Sequence, residues 1–351
     1  MKKLLKRILC AVFAVSLVGA LAIGMVGCDN RPTIAVIAKG ETHAFWQSVK
    51  KGAVEAGDQY GYKVTFRGPT AESEEYVSNQ REMLTQAINN ANTKAIVLAT
   101  IGTGFADDLV NAYEKNIPIV EFDSGLYNNR ADITEGKDPT VSSVASDNRA
   151  AAEVAAEKFY ENQKSKIEAA TTENPYVICI IQHDSSQTGI DRANGFKDKI
   201  DALASAQIKA KTFESYIEVK TNKEGDYRGA LQASQTKGNK NADAVFMCNE
   251  GVVNECQPEV FNSNGKYKDI VFCGFDAGTN QINWIKSTDP NVGKLIGSVA
   301  QDSYSIGFKA VEQAAFAVEG KTVTKKVGIA GTWYDSSNID KMIESNIVYE
   351  G

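Results

Sequence analysis

Thr33-Ile-Ala-Val-Ile-Ala38, followed at once by Lys39-Gly-Glu-Thr-His43 and then Phe45-Trp46, decides the fold of this chain. The first run does not alternate apolar with polar residues, and a strand of that kind is covered on both faces. Beyond it Phe45, Val49, Gly52, Ala53 and Ala56 recur at helical spacing as far as Tyr60. A buried strand leading into such a helix is the first half of a βαβ unit. Units of this kind build a parallel sheet with helices on its faces.

The alternation continues along the chain. Strands are predicted at 63–66, 95–99 and 117–122, with helices over 74–90 and 106–114 between them. The pattern restarts at Asp147, a good N-cap for a helix over 149–163. Strands follow at 176–181, 208–213, 242–247, 270–273 and 295–299, with helices over 195–204 and 228–236. The expected fold class is α/β, with two Rossmann-like lobes built on parallel sheets. No glycine-, proline- or serine-rich linker separates the halves, so the chain is expected to cross between lobes by several short, strand-like hinge segments. The expected division is 33–146 plus 302–330 for one lobe, and 147–301 plus 331–351 for the other.

Composition agrees with a globular protein. The 351 residues are 43% apolar and 23% charged, which excludes disordered, collagenous and polytopic membrane proteins. Residues 1–27 stand apart. Lys2, Lys3, Lys6 and Arg7 precede an apolar run from Ile8 to Gly27, the pattern of a secretory leader. The run is about 20 residues, so an uncleaved anchor helix is the other reading. Both place residues 29–351 outside the cytoplasmic membrane. Apart from the leader's basic residues, 34 basic and 44 acidic residues remain, a charge of −10. Such a surface argues against nucleic acid as a partner.

Cys179, Cys248, Cys256 and Cys273 show no CxxC or zinc spacing and are read as buried thiols acting as small hydrophobes. His43 and His183 fall in separate halves without a third ligand, so no metal is expected. There is no GxSxG, P-loop, HExxH or strand-borne GxGxxG, so no enzyme is expected.

In open α/β sheets ligands bind beyond the carboxyl ends of the strands. The residues found there are Lys39 to His43, Phe45, Trp46, Asp123, Ser124, His183, Asp184, Arg192, Asn249, Glu250, Asp276 and Gln301. Carboxylates, amides and a guanidinium hold neighbouring hydroxyls in pairs, while aromatic rings take an apolar ring face. That combination suits a sugar. Phe45 and Trp46 are adjacent on one helical turn, so they are not expected to share one core. Lys39 and Glu41 are expected in solvent.

The residues from Thr33 to about Tyr334 resemble the ribose/galactose type of periplasmic sugar-binding protein, the type I fold. Four groups of residues carry the resemblance. They are Thr33 to Ala38 with His43-Ala-Phe45-Trp46; Ile117 to Asp123 with Ala145-Ser-Asp-Asn148; Arg192-Ala-Asn-Gly195-Phe196; and Ala244 to Asn249 with Gly274-Phe-Asp276 and Ala300-Gln301. The resemblance implies a ligand set of His43, Phe45, Trp46, Asp123, Ser124, Arg192, Asn249, Asp276 and Gln301, and no cofactor. Ser124 stands where ribose binders usually have Arg, and Gly225 where an aromatic precedes Asp226, which favours a sugar other than ribose. Met25-Val26-Gly27-Cys28 resembles a lipobox with Cys28 as the lipidated residue, Met25 replacing the usual Leu. The implied protein is a lipid-anchored monomer that captures a sugar between closing lobes and passes it to an ABC permease. The alternative is a signalling receptor for a furanose-like autoinducer on the same scaffold.

Overall fold

The computed structural model describes residues 29–134, 136–219, 226–235, 241–345 and 347–348. The leader over 1–27, Cys28 and Gly225 lie outside the described residues. The first half runs β1 (Thr33–Ile37), α1 (Ala44–Tyr60), β2 (Lys63–Arg67), α2 (Val77–Asn89), β3 (Thr93–Leu98), α3 (Ala106–Glu114), β4 (Ile119–Phe122) and β5 (Thr140–Ser146). The second runs α4 (Asn148–Ala169), β6 (Tyr176–Gln182), α5 (Gln187–Leu203), α6 (Ser205–Lys209), β7 (Phe213–Val219), α7 (Tyr227–Ser234), β8 (Ala244–Met247), α8 (Glu250–Phe261), β9 (Val271–Phe275), α9 (Thr279–Lys286) and β10 (Lys294–Gln301). The chain ends with α10 (Ser303–Val318), β11 (Lys326–Ile329), β12 (Gly331–Tyr334) and α11 (Ile339–Glu344).

Two six-stranded sheets result, ordered β11-β5-β4-β3-β1-β2 and β12-β10-β9-β8-β6-β7. All neighbours are parallel except β10 and β12. Parallel strands gather their carboxyl ends along one edge of each sheet, and that edge positions the site. The chain passes between the sheets after β5, after β10 and between β11 and β12.

Each sheet is buried on both faces, as β1 and β6 foretell: every residue of Thr33–Ile37 and Tyr176–Gln182 is buried. In the first lobe α1 and α10 cover one face, around Val49, Ala53, Val97, Val120 and Ala314. Leu84 of α2 and Leu109 of α3 pack on the other face with Ile96 and Ile119. Helix α10 follows β10 of the second lobe yet packs on α1 and the first sheet. Close approach makes this possible: a Cβ on Gly307 would overlap the Val49 carbonyl, so only glycine lets the helices meet this tightly.

Three sequence expectations are corrected. The strand expected at 208–213 is instead the short helix α6 followed by β7, and Ile208 is exposed. β7 is an edge strand with partners on one side only, so half-polar Phe213–Val219 suffices there. Helix α5 begins eight residues before the expected 195, because Ser186 caps it by accepting from the Gly189 N–H. β5 was not expected from its sequence, since Thr140, Ser142, Ser143 and Ser146 dilute its apolar pattern; buried Ser142 donates to the Thr324 carbonyl at 2.6 Å. Asp147 does cap α4, accepting from the Ala150 N–H at 3.0 Å. The four cysteines named above are buried and form no disulfide, and burial pushes the thiols of Cys248, Cys256 and Cys273 up.

Candidate functional site

A cleft of about 360 Å³ opens where the carboxyl edges of the two sheets face each other. Its lining is Lys39, His43, Phe45, Trp46, Glu72 and Asp123 from one lobe, and Asn249, Glu250, Gly251, Asp276 and Gln301 from the other. That volume lies at the small end for ligand clefts, which run roughly 300–1,000 Å³.

The first lobe's wall is built around Lys39, at the end of β1. Its ammonium lies 2.9 Å from Asp123 Oδ2 and 3.3 Å from Glu72 Oε2, and 5.7 Å from the centre of the Trp46 ring. Only 14% of its side chain is exposed, which corrects the expectation that Lys39 is solvated. The ammonium sits off the line of a hydrogen bond to Asp123 Oδ2. That buried oxygen therefore has charge compensation without a directional donor. Glu72 also accepts from Trp46 Nε1 at 2.6 Å. It reaches this place because the loop after β2 lies against β1's end: a Cβ on Gly68 would overlap the Gly40 backbone.

Phe45 and Trp46 correct a second expectation. They do share one core, with ring centroids 4.8 Å apart at 87°, an edge-to-face pair. Trp46 is 1% exposed and also meets Phe122 edge-on at 6.1 Å. Adjacent residues at a helix start can both turn inward, because the sheet edge and the helix close around them. Both still show an edge to the cleft. His43 caps the same helix: Nδ1 accepts from the Phe45 N–H at 3.2 Å. With Nδ1 the acceptor, the neutral ring carries its proton on Nε2, which faces Glu250 Oε2 across the cleft at 4.0 Å.

The second lobe's wall is built around Asp276. Its Oδ2 accepts from Arg192 Nη1 and from the Glu250 N–H, each at 3.1 Å, and its Oδ1 accepts from Gln301 Nε2 at 2.5 Å. Its carbonyl accepts from Ser298 Oγ and the Tyr334 hydroxyl, both at 2.8 Å. Arg192 is 4% exposed, with its guanidinium 4.0 Å from the Phe275 ring centre, donating also to Asn148 Oδ1 at 2.8 Å and the Cys248 carbonyl at 3.2 Å. Asn249 caps α8 through Oδ1, accepting from the Val252 N–H at 2.8 Å. Gln301 bridges the lobes, because its Oε1 accepts from Ser146 Oγ of the first sheet at 2.8 Å. Burial, and secondly the charge of Asp276, push the Glu250 carboxyl above the usual carboxylate range.

Asp123 and Asp276 both take left-handed backbone angles, φ 55° and 69°. Such a conformation costs a non-glycine residue of order 1 kcal/mol and clusters at binding sites.

Of the nine residues expected from sequence, the cleft gathers His43, Phe45, Trp46, Asp123, Asn249, Asp276 and Gln301. Arg192 lies behind Asp276 rather than on the lining, and Ser124 is exposed and outside it. Sequence reasoning missed Glu72, five residues past the end of β2, a strand after which no candidate was sought. It noted Glu250 after its strand without giving it a role.

A two-lobed α/β protein with a polar, aromatic-edged cleft between its sheets is a binding protein of the type I kind. The chain belongs to the periplasmic binding protein domain family, whose pattern it matches over residues 34–322. This is a family of binding proteins, not enzymes. The chain is 22% identical over 325 residues to the ribose import binding protein of Haemophilus influenzae, covering 90% of this chain and 96% of that one. A Brachyspira murdochii structure described as an ABC transporter, LacI family transcriptional regulator, is 32% identical with a TM-score of 0.77, covering 92% of this chain and all of that one. An ABC transporter solute-binding protein from Agrobacterium vitis with bound D-fucose is 26% identical with a TM-score of 0.62, covering 90% of this chain and 100% of the other.

Proposed function

We propose that this protein is an extracytoplasmic sugar receptor of an ABC importer, anchored by lipid at Cys28 and acting as a monomer that delivers its ligand to the permease. The observation that carries the reading is the convergence of Asp123, Phe45 and Trp46 from one lobe with Asn249, Asp276 and Gln301 from the other. Planar polar groups take adjacent hydroxyls, and the aromatic edges meet the C–H face of the ring. Arg192 acts from behind, holding Asp276 in place. The lobes, 33–146 with 302–330 and 147–301 with 331–351, close about the three crossing segments when ligand binds.

Thermal-shift screening of monosaccharides and small oligosaccharides tests it, since a ligand that binds only the folded state raises its stability. The expected result is a shift with one sugar class, confirmed by titration calorimetry. No shift with any sugar overturns the reading. Sugar binding without any loss of uptake on deletion would point instead to signalling. Anchoring is checked separately: Cys28→Ala is expected to release the protein or leave the precursor unprocessed.

A further inference from the structure

Among the described residues the cleft's charges do not balance. Four carboxylates line it, Glu72, Asp123, Glu250 and Asp276, while the permanent cations described at the site are Lys39 on the lining and Arg192 behind it. Lys39 lies between Glu72 and Asp123, and Arg192 is engaged by Asp276. Glu250 is left facing the cleft with 23% of its side chain exposed. Its opposite-charge neighbour is His43, 4.0 Å away on the other lobe and charged only when protonated. On its own lobe it faces the like charge of Asp276 and the amide of Asn254. Lobe closure strips water from these groups, and an unbalanced buried carboxylate is unfavourable.

We propose that the ligand is an amino sugar, with its ammonium group seated against Glu250. This rests on the sugar reading and narrows it to a substrate class. One ammonium donates to Glu250 Oε2, within reach of the His43 face, while the Asp123 carboxylate on the facing wall accepts from a ring hydroxyl. The raised Glu250 carboxyl fits this picture, because burial and the like charge of Asp276 disfavour its ionised form and a ligand ammonium would offset both. The chain's negative surface adds attraction for a cation from a distance.

The experiment is titration of the full chain at neutral pH with glucosamine, galactosamine and mannosamine, each beside its parent neutral hexose. The expected result is that one amine binds about ten- to a hundredfold tighter than its parent, the range for a hydrogen bond to a charged group. Glu250→Gln keeps the shape and removes the charge, so it is expected to erase that preference while a parent hexose still binds. A parent hexose that binds as tightly as its amine, or a preference that survives Glu250→Gln, overturns the proposal and leaves the sugar reading standing. Failure of every sugar, neutral or amine, to bind overturns the sugar reading itself, and this proposal with it.

Discussion

The two lobes place the same residue at the same point and support it differently. Asp123 follows β4 and Asp276 follows β9, each the third strand in its sheet. Each N–H donates to the neighbouring strand, to Val144 O at 3.0 Å and Val299 O at 2.8 Å, and each backbone is left-handed. Around Asp276 the support is rigid: a buried arginine, a backbone N–H, a glutamine and two hydroxyls fix carboxylate and carbonyl alike. Around Asp123 the support is one lysine on a flexible stem, shared with Glu72. A multiply held carboxylate is pre-organised for ligand but is also part of the lobe's structure. A singly held one adapts to the ligand and carries little of the fold.

Substitutions separate the two roles. Asp276→Ala is expected to have the largest effect, because it leaves the Arg192 guanidinium buried without a counter-charge. Denaturant unfolding is expected to show a loss of about 3–5 kcal/mol, and calorimetry a loss of binding of about a hundredfold or more. An Asp276→Ala protein of unchanged stability would mean that Arg192 finds solvent or another partner, and the contrast between the lobes would fail. Trp46→Ala comes next, at about 3 kcal/mol, the low end for truncating a buried tryptophan because the cleft lets water fill part of the space. Loss of affinity without loss of stability would return Trp46 to a pure contact role.

Asp123→Ala sharpens the comparison from the other side. Lys39 still has Glu72, so the melting temperature is expected to stay within a few degrees while affinity falls roughly tenfold. A stability loss matching that of Asp276→Ala would show the two sites to be equivalent. The smallest effect is expected from pH. The folded-state carboxyl of Glu250 titrates above its unfolded value, so its contribution to stability is present at acid pH and is lost as pH rises through the folded value. Glu250→Gln is therefore expected to melt slightly higher than the parent protein at neutral pH, the gap closing as pH falls into the carboxylate range. A gap that widens on acidification would contradict the sign.

Strand-end residues were legible because β1, β6, β8 and β9 are continuous apolar runs, and β4 is one broken only by Glu121, that stop abruptly at polar residues. Lys39, Asp123, Asn249 and Asp276 could be read off as residues beyond those stops. Less legible were elements whose polarity reflects their place in the sheet. β7 is at an edge and β5 carries four hydroxyl residues, so neither shows a continuous run. Phe45 and Trp46 misled because the helical wheel treats a helix as a free cylinder. At a helix start beside a sheet edge, two adjacent positions both meet core.

The alternation of buried strands and helices, the polar punctuation after each strand and the acidic balance were determined by the sequence itself. Their physical basis is local: backbone periodicity, solvation of apolar runs, and capping within a turn. Partner choice was decided only by the tertiary structure. Arg192 meets Asp276 across 84 residues of chain, Trp46 donates to Glu72 across 26, and His43 faces Glu250 from the opposite lobe. Whether a charge is paired, shared or left over depends on which strand ends the two sheets bring together, and that distance is not written in any local stretch.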